Sequence, residues 1–491
     1  MAYLFGDGFD LYTTAGALGL GYWDVVASNW GVYPSQGRFG GGCIRIDNAG
    51  GNAVHLVKNS GANDSVHHIN CAFLQVNPVT ATTLAYYFQL LDGTTGQCCI
   101  CFRSDGVILL TSGTPGGTVL ATYSGAFPAA NVWYSYEFEV IIHPTAGRFR
   151  VRKGGNPVDD YDSGAVLNTR PGTNTYANKL QIGQNAYYPQ NLDDVLWRSD
   201  AASVPFIGDA RCYTRLPTTD ASAQFARSPN LVSSSYQSNT TNTRTVNTTN
   251  YLPFTAGYTG TVSSASVLVN VNTTAHVKMA IYDANRQIVL GTSSEITNPV
   301  LGANAVTFTP PVAVVRGATY HLAINQDASV PYNSTSGVSP GIYISTQTYA
   351  SFPIASPTSL TGGQQGNSAT FNITPTVNAE FVNEAQQDNT TSYVYDAVPG
   401  HADFYNHDPI TAPMLSHVAV TTRGHIVKGD AGARTGTVQM KSSASTVAAP
   451  TLNLTTSFQW AWRTDALNPA TGTAWTVATA NAATAGPVVV T

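Results

Sequence analysis

The segment "VWYSYEFEVII" (132–142) alternates without a break: Val132, Tyr134, Tyr136, Phe138, Val140 and Ile142 fall on one face of an extended chain, and Trp133, Ser135, Glu137, Glu139 and Ile141 on the other. A period of two belongs to a strand. "HPTAG" turns the chain, and "RFRVRKGG" alternates again before Gly154 and Gly155 turn it back. That is the pattern of an antiparallel hairpin. Runs of the same kind recur along the chain, among them "TLAYYFQLL", "VILLTSG", "TVLATYSG", "KLQIG" and "DVLWRSD". Helical periodicity is scarce. Many short strands separated by Gly, Pro and Asn predict an all-β chain of antiparallel β-sandwiches or jelly rolls in tandem.

At 491 residues the chain is long enough for several domains with cores of their own. Composition shifts after "FARSPN", where "SSSYQSNTTNTRTVNTTN" (233–250) has no apolar period and reads as a linker or exposed loop. A second set of strands follows, including "ASVLVNVNTT", "AHVKMAIYDANRQIV", "AVTFTPPVAVV" and "ATYHLAIN", and "PTSLTGGQQGNSATFN" (357–372) closes it with another flexible stretch. The last part, with "TSYVYDAV", "MLSHVAVTTRGHIV", "TGTVQMKSS", "SFQWAWRTD" and "AWTVATANA", is strand-like throughout. The expected domains are 1–227, 228–377 and 378–491.

Charged residues are 10% of the chain, against ~25% in an average globular protein. The net charge is -5, and no Lys/Arg cluster is present to neutralise a row of phosphates, so nucleic acid is excluded as the expected partner. "MAYLFGDGFDLYTT" lacks the basic region and apolar core of a cleavable signal. No apolar run reaches the roughly 18 residues of a membrane span. Synthesis in a cytoplasm is expected, and with it six cysteines (Cys43, Cys71, Cys98, Cys99, Cys101, Cys212) that are mostly reduced. "QCCICF" has no two-residue spacer to turn two thiolates onto one zinc and reads as buried thiols in a strand.

Several motifs carry a family resemblance: "GFDLY" (8–12), "RFGGG" (38–42), "WYSYEFEVIIHPTAGRFRVRKGG", and "LDDV" leading into "FIGDARCYTRLPTTDASAQF". With these, residues 1–227 resemble the concanavalin A-like, lectin-type jelly-roll modules of minor structural proteins of tailed bacteriophages. In those modules an I/L-D-D strand precedes a G-D-x-R-V strand by about a dozen residues; here Cys212 stands where a β-branched residue is usual. "VNEAQQDNTTSYVYDAVPGHADFYNHD", "GDAGARTGTVQMKS" and "TDALNPATGTAWTVATANA" resemble the C-terminal part of the same proteins. In such relatives these two parts are nearly continuous. The resemblance therefore implies that the middle segment, which looks like a carbohydrate-binding or adhesin-type sandwich, is an insertion into a surface loop.

The adjacent acids Asp193 and Asp194 invite a reading as an acid/base pair or calcium ligands. Glycosidases set two carboxylates across one sugar at about 5 to 9.5 Å. Adjacent strand residues point to opposite faces, so the expectation is instead that one Asp accepts backbone N–H bonds while the other is solvated, with Asp209 after Gly208 in a turn. Glu137 and Glu139 share a face but do not complete the E-x-D-x-x-E arrangement of jelly-roll glucanases. "GHADFYNHD" (400–408) offers His401, Asp403, His407 and Asp408, residue types that ligate metals, in what reads as a loop of ordinary polar residues. His67 and His68 in "VHHIN" face opposite ways. No catalytic, cofactor or metal residues are assigned. Tyr187 and Tyr188 of "NAYYPQN" are the candidate ligand-binding residues, because exposed aromatic pairs stack on sugar rings.

The resemblance implies a non-enzymatic virion structural protein of a tailed phage, on the particle exterior as a tail fibre, tail-tip or surface adhesin that binds a host glycan. It implies other virion proteins as partners and a homo-oligomer, with a trimer favoured. The alternatives are a purely architectural head-fibre, collar or capsid-decoration subunit, and a glycan depolymerase.

Overall fold

The computed structural model describes residues 3–10, 12, 18, 22–26, 30–46, 54–75, 84–125, 131–184, 190–202, 205–227, 232–233, 240–334, 343–355, 357, 361–362, 369–382, 393–410 and 419–491. The chain is all-β, built of tandem antiparallel sandwiches. It divides into two compact units. One comprises Met1–Gln224, Asn383–Asn389 and Asp396–Thr491; the other comprises Phe225–Val382 and Thr390–Tyr395 and so interrupts the first in sequence.

The first unit opens with a jelly roll of two antiparallel sheets. One of its sheets places, in order, the strands Tyr161–Asp162, Arg148–Lys153, Trp133–Ile141, Val66–Gln75, Gln190–Asp200, Cys43–Ile46 and Trp30–Tyr33, with Tyr3–Asp7 also paired to Gln190–Asp200. The other places Val119–Tyr123, Ile108–Ser112, Thr95–Arg103, Leu84–Asp92, Ala177–Gln184, Val54–Asp64 and Val25–Val26. The period of two sets the core: Tyr136, Phe138 and Val140 from one sheet meet Phe88, Phe102 and Leu180 from the other. Each such side chain removed from water contributes about 1.5–3 kcal/mol. Glu137 and Glu139 lie on the opposite face of their strand, as the alternation requires.

The C-terminal residues of this unit form a sheet of Pro217–Ser222, Phe404–His407, Thr484–Val489, Thr435–Ser442 and Ser445–Ala448, and a ribbon of Val420–Ile426 with Gln459–Asp465. Trp460 and Trp462 of the ribbon pack on the jelly-roll core. The buried Lys58 ammonium lies 4.8 Å from the Trp462 ring centre and donates to the Tyr22 carbonyl at 2.6 Å. Two segments differ from expectation. "GHADFYNHD" contains a strand, Phe404–His407, which the neighbouring Pro217–Ser222 pairs. "WTVATANA" contains a helix, Val477–Ala482, because Thr476 and Thr479 form a reciprocal capping box.

The second unit is a sandwich. One sheet holds Val232–Ser233, Ala369–Pro375, Gly260–Val269, Val330–Ser334 and Thr240–Arg244, with Gly302–Val314 also paired to Gly260–Val269; the other runs Val289–Thr292, His276–Tyr282, Thr319–Gln326, Thr248–Thr255, Tyr343–Thr346 and Thr361–Gly362. Their inner faces meet at Leu252, Val262, Val267, Met279, Ile281, Leu322 and Ile324. The polar stretch 233–250, expected as a linker, supplies Thr240–Arg244 and the start of Thr248–Thr255. Threonine is β-branched and suits a strand even where no apolar period announces one. Likewise "PTSLTGGQQGNSATFN" ends in the strand Ala369–Pro375. Among the described residues no helix is long and apolar enough to cross a membrane.

Candidate functional site

The acids at 193 and 194 do not follow the simple alternation. The pairing of Gln190–Asp200 with Val66–Gln75 is irregular between Asp193 and Leu196, and Asp194 takes a φ of 51°. A bulge with a left-handed residue resets which way the side chain points. Both acids are buried, so neither is solvated as expected. Asp193 accepts the backbone N–H groups of Arg38 at 2.8 Å and Asp194 at 2.7 Å, and Asp194 accepts that of Cys212 at 2.8 Å. Burial, then repulsion from Asp194, pushes Asp193 up to about 8; burial, opposed by the Cys212 amide, pushes Asp194 up to about 7. Asp209 holds Arg38 in a bidentate pair with both contacts at 2.5 Å. The three acids thus fasten residues 38 and 209–212 to the sheet. Among the described residues no group of three or more His, Cys, Asp or Glu side chains is placed to hold a metal ion.

Glu137 and Glu139 share a sheet face, and that face is covered. The Glu137 carboxylate accepts N–H from Ile207 at 2.9 Å and Gly208 at 2.8 Å, and pairs with Arg198 at 3.0 Å. Glu139 pairs with Arg150, its cross-strand neighbour, and lies 3.1 Å from His68 Nε2. Burial, overcome by hydrogen bonds from His68 and Arg150, leaves Glu139 lowered to about 2. Phe206 lies over this network, 4.0 Å from the Arg152 guanidinium, 4.6 Å from that of Arg150 and 5.1 Å from the His68 ring. The carboxylate oxygens of Glu137 and Glu139 are therefore all engaged by neighbouring groups.

The remaining sequence candidates separate. Asp403 is buried, accepting the Gln224 amide at 2.5 Å and the Tyr405 hydroxyl at 2.9 Å, whereas His401 pairs with Asp396 at 2.6 Å. His407 and Asp408 offer their backbone carbonyls to Arg215. His67 bonds the Asp64 carbonyl at 2.9 Å and faces away from His68. All six cysteines are free thiols, five of them buried. Tyr187 and Tyr188 lie outside the described residues.

A polar array that sequence reading missed occupies the outer face of the jelly roll's second sheet. Cross-strand register aligns Val57, Gln181, Gln89, Cys99 and Thr111 in one row, and His55, Gly183, Tyr87, Cys101 and Leu109 in the next. Tyr87 crosses Gly183, where an added Cβ would sit 2.3 Å from the ring and would displace the tyrosine. Gln181 donates to the Tyr87 hydroxyl at 3.1 Å and to Gln89 at 3.3 Å, and Gln89 donates to the Gly113 carbonyl at 2.6 Å. His55, Lys179 and Gln181 are half-exposed at the open edge of the array, beside the exposed Asn59. The two rows contain no carboxylate. Amide, imidazole and ammonium groups on a sheet suit hydrogen bonding to sugar hydroxyls.

No family model matches the chain, and no curated protein matches it in sequence. Solved structures similar to it include a cellulose-induced protein, Cip1 (10% identity, TM-score 0.31, covering 41% of this chain and 98% of that one). A carbohydrate esterase from the Shiga toxin-encoding bacteriophage phi24B is similar at 15% identity, with a TM-score of 0.27 over 41% of this chain and 97% of that one. The carbohydrate-binding module CBM66 from Bacillus subtilis is similar at 12% identity, with a TM-score of 0.23 over 35% of this chain and 96% of that one. Scores this low assign no site.

Proposed function

We propose that this chain is a non-enzymatic structural protein on the exterior of a tailed-phage particle, a tail fibre, tail-tip or surface adhesin that binds a host glycan. One observation carries the non-enzymatic part: Glu137 and Glu139, the paired carboxylates of the jelly roll, are committed to Arg198, Arg150, His68 and the backbone of residues 207 and 208. The half-exposed edge formed by His55, Lys179 and Gln181 supports glycan binding, and the sequence resemblance to phage modules supports the virion setting. The low charge of the surface favours burial of sandwich walls against further copies, with a trimer as the expected assembly. The test is a glycan array probed with the intact chain and with Gln181→Ala, alongside a reducing-sugar assay on host polysaccharide and antibody labelling of intact particles. Binding weakened by Gln181→Ala without sugar release, and label on the particle exterior, are expected. Sugar release would replace the adhesin with a depolymerase; no binding would leave the purely architectural subunit.

A further inference from the structure

The middle sandwich has an aromatic face of its own. In the strands His276–Tyr282, Thr319–Gln326 and Thr248–Thr255, Leu252, Met279, Ile281, Leu322 and Ile324 point into the inter-sheet core, while Tyr251, Ala280, Tyr282 and Ala323 form a separate cluster with Phe352, against which Tyr343 packs. This second cluster is the outer face of the sheet. The hairpin "YDANRQIV" folds one long side chain back onto it. Arg286 stands at a φ of 61°, a position that favours glycine or asparagine, and its guanidinium lies 4.0 Å from the centre of the half-exposed Tyr343 ring.

The guanidinium carries an uncompensated charge. Arg286 Nη1 donates to His321 Nε2 at 3.1 Å, and burial together with the guanidinium lowers His321 to about 4, so the imidazole is neutral and orients the cation without cancelling it. Asp283, three residues earlier, uses Oδ1 on the turn amides of Gln287 and Ile288 at 2.6 and 3.0 Å. Among the described residues no carboxylate forms an ion pair with Arg286. A strained backbone position that holds an unpaired, stacked guanidinium over an aromatic floor is a feature that folding alone does not require.

We propose that Arg286 binds the oxyanion of an acidic glycan, a sugar carboxylate or sulfate, with the Tyr343 ring beneath the guanidinium holding it in place for the anion. Planar bidentate recognition of an oxyanion is what an arginine held by stacking does best. The site rests on the glycan-binding reading above and names its ligand class.

Oligogalacturonate, dextran sulfate and neutral dextran are the probes, titrated against the intact chain, Arg286→Gly and Arg286→Lys. Oligogalacturonate separates a carboxylate from the sulfate of dextran sulfate. Because glycine suits the left-handed position, Arg286→Gly keeps or raises the melting temperature while weakening acidic-glycan binding at least about tenfold. Arg286→Lys keeps the charge, loses the fork and binds weakly. Acidic-glycan binding undiminished in Arg286→Gly overturns the site. Binding of the neutral probe alone by the unaltered chain also overturns it and leaves the adhesin standing; no binding of any glycan, on these probes or on the array, removes both.

Discussion

Asp194 follows Asp193 directly in a strand, yet its φ of 51° brings both carboxylates into one buried surrounding, where the Asp194 amide donates to Asp193 Oδ1 at 2.7 Å. Their folded-state pKa values, about 8 and about 7, stand above the ~3.9 of an unfolded Asp. The native state therefore holds protons that the unfolded chain releases. The stability that follows is full below the unfolded value and is lost as pH rises through the folded ones. Asp194→Asn keeps an acceptor for the Cys212 amide and removes the repulsion. It should be more stable than the parent at pH 8 by at least on the order of 1 kcal/mol, and close to it only at about pH 3.5, below the unfolded value. Urea unfolding midpoints at the two pH values decide; an equal gain at both would show that repulsion is not the cause.

Glu139 titrates in the opposite sense. Its pKa is lowered to about 2, so its contribution is full above the ordinary Glu value and disappears as pH falls through about 2. Glu139→Gln leaves the Arg150 and His68 side of the network without its anion and should cost about 3–5 kcal/mol at pH 7. Chemical denaturation across pH 2 to 7 should show the two curves converging at the acid end.

Phe206 covers Arg150, Arg152 and His68. Phe206→Ala should lower stability by about 1–2 kcal/mol, as a cation–π contact and half-buried apolar area are lost. It should release no sugar from any polysaccharide, since Glu137 keeps its backbone donors. Thermal melts and a reducing-end assay read the two halves separately, and hydrolysis by the variant would mean that the covered glutamates are a latent catalytic pair.

Burial pushes the Cys43 and Cys98 thiols up to about 12. Native protein should react slowly with a thiol reagent at pH 8, and denatured, unreduced protein should yield six thiols. Rapid native labelling of several cysteines would show that the strand Thr95–Arg103 opens readily.

The jelly roll was legible because its strands bury one face and the alternation at 132–142 reports it directly. The Glu139–Arg150 pair was only partly so: counting outward from "HPTAG" sets Glu139 opposite Val151, whereas the hairpin pairs Ile141 with Arg148 and so Glu139 with Arg150. The behaviour of Asp193 and Asp194 was not, because alternation presumes an unbroken strand and a bulge leaves no mark in the apolar pattern. The threonine-rich edge strand Thr240–Arg244 escaped for a related reason: its stability comes from the pairing with Val330–Ser334 rather than from an apolar face of its own. The row of Gln181 and Gln89 depends on register between strands far apart in sequence, which one strand read alone does not disclose.

Arg215 donates to the carbonyls of Asp408, His407 and Ala480 at 2.5, 3.0 and 2.6 Å, partners that lie 193, 192 and 265 positions further along the chain. On a ribosome adding ~5–20 residues per second, Ala480 emerges roughly 13 to 50 s after Arg215. The second unit, made wholly within that interval, has time to fold before the first can close. Until then Arg215 and the strand Pro217–Ser222 wait without their partners, an unpaired edge on a nascent chain. Growth at lower temperature or slower translation lengthens that wait, and the yield of soluble protein from the full-length message is set by how well the edge survives it.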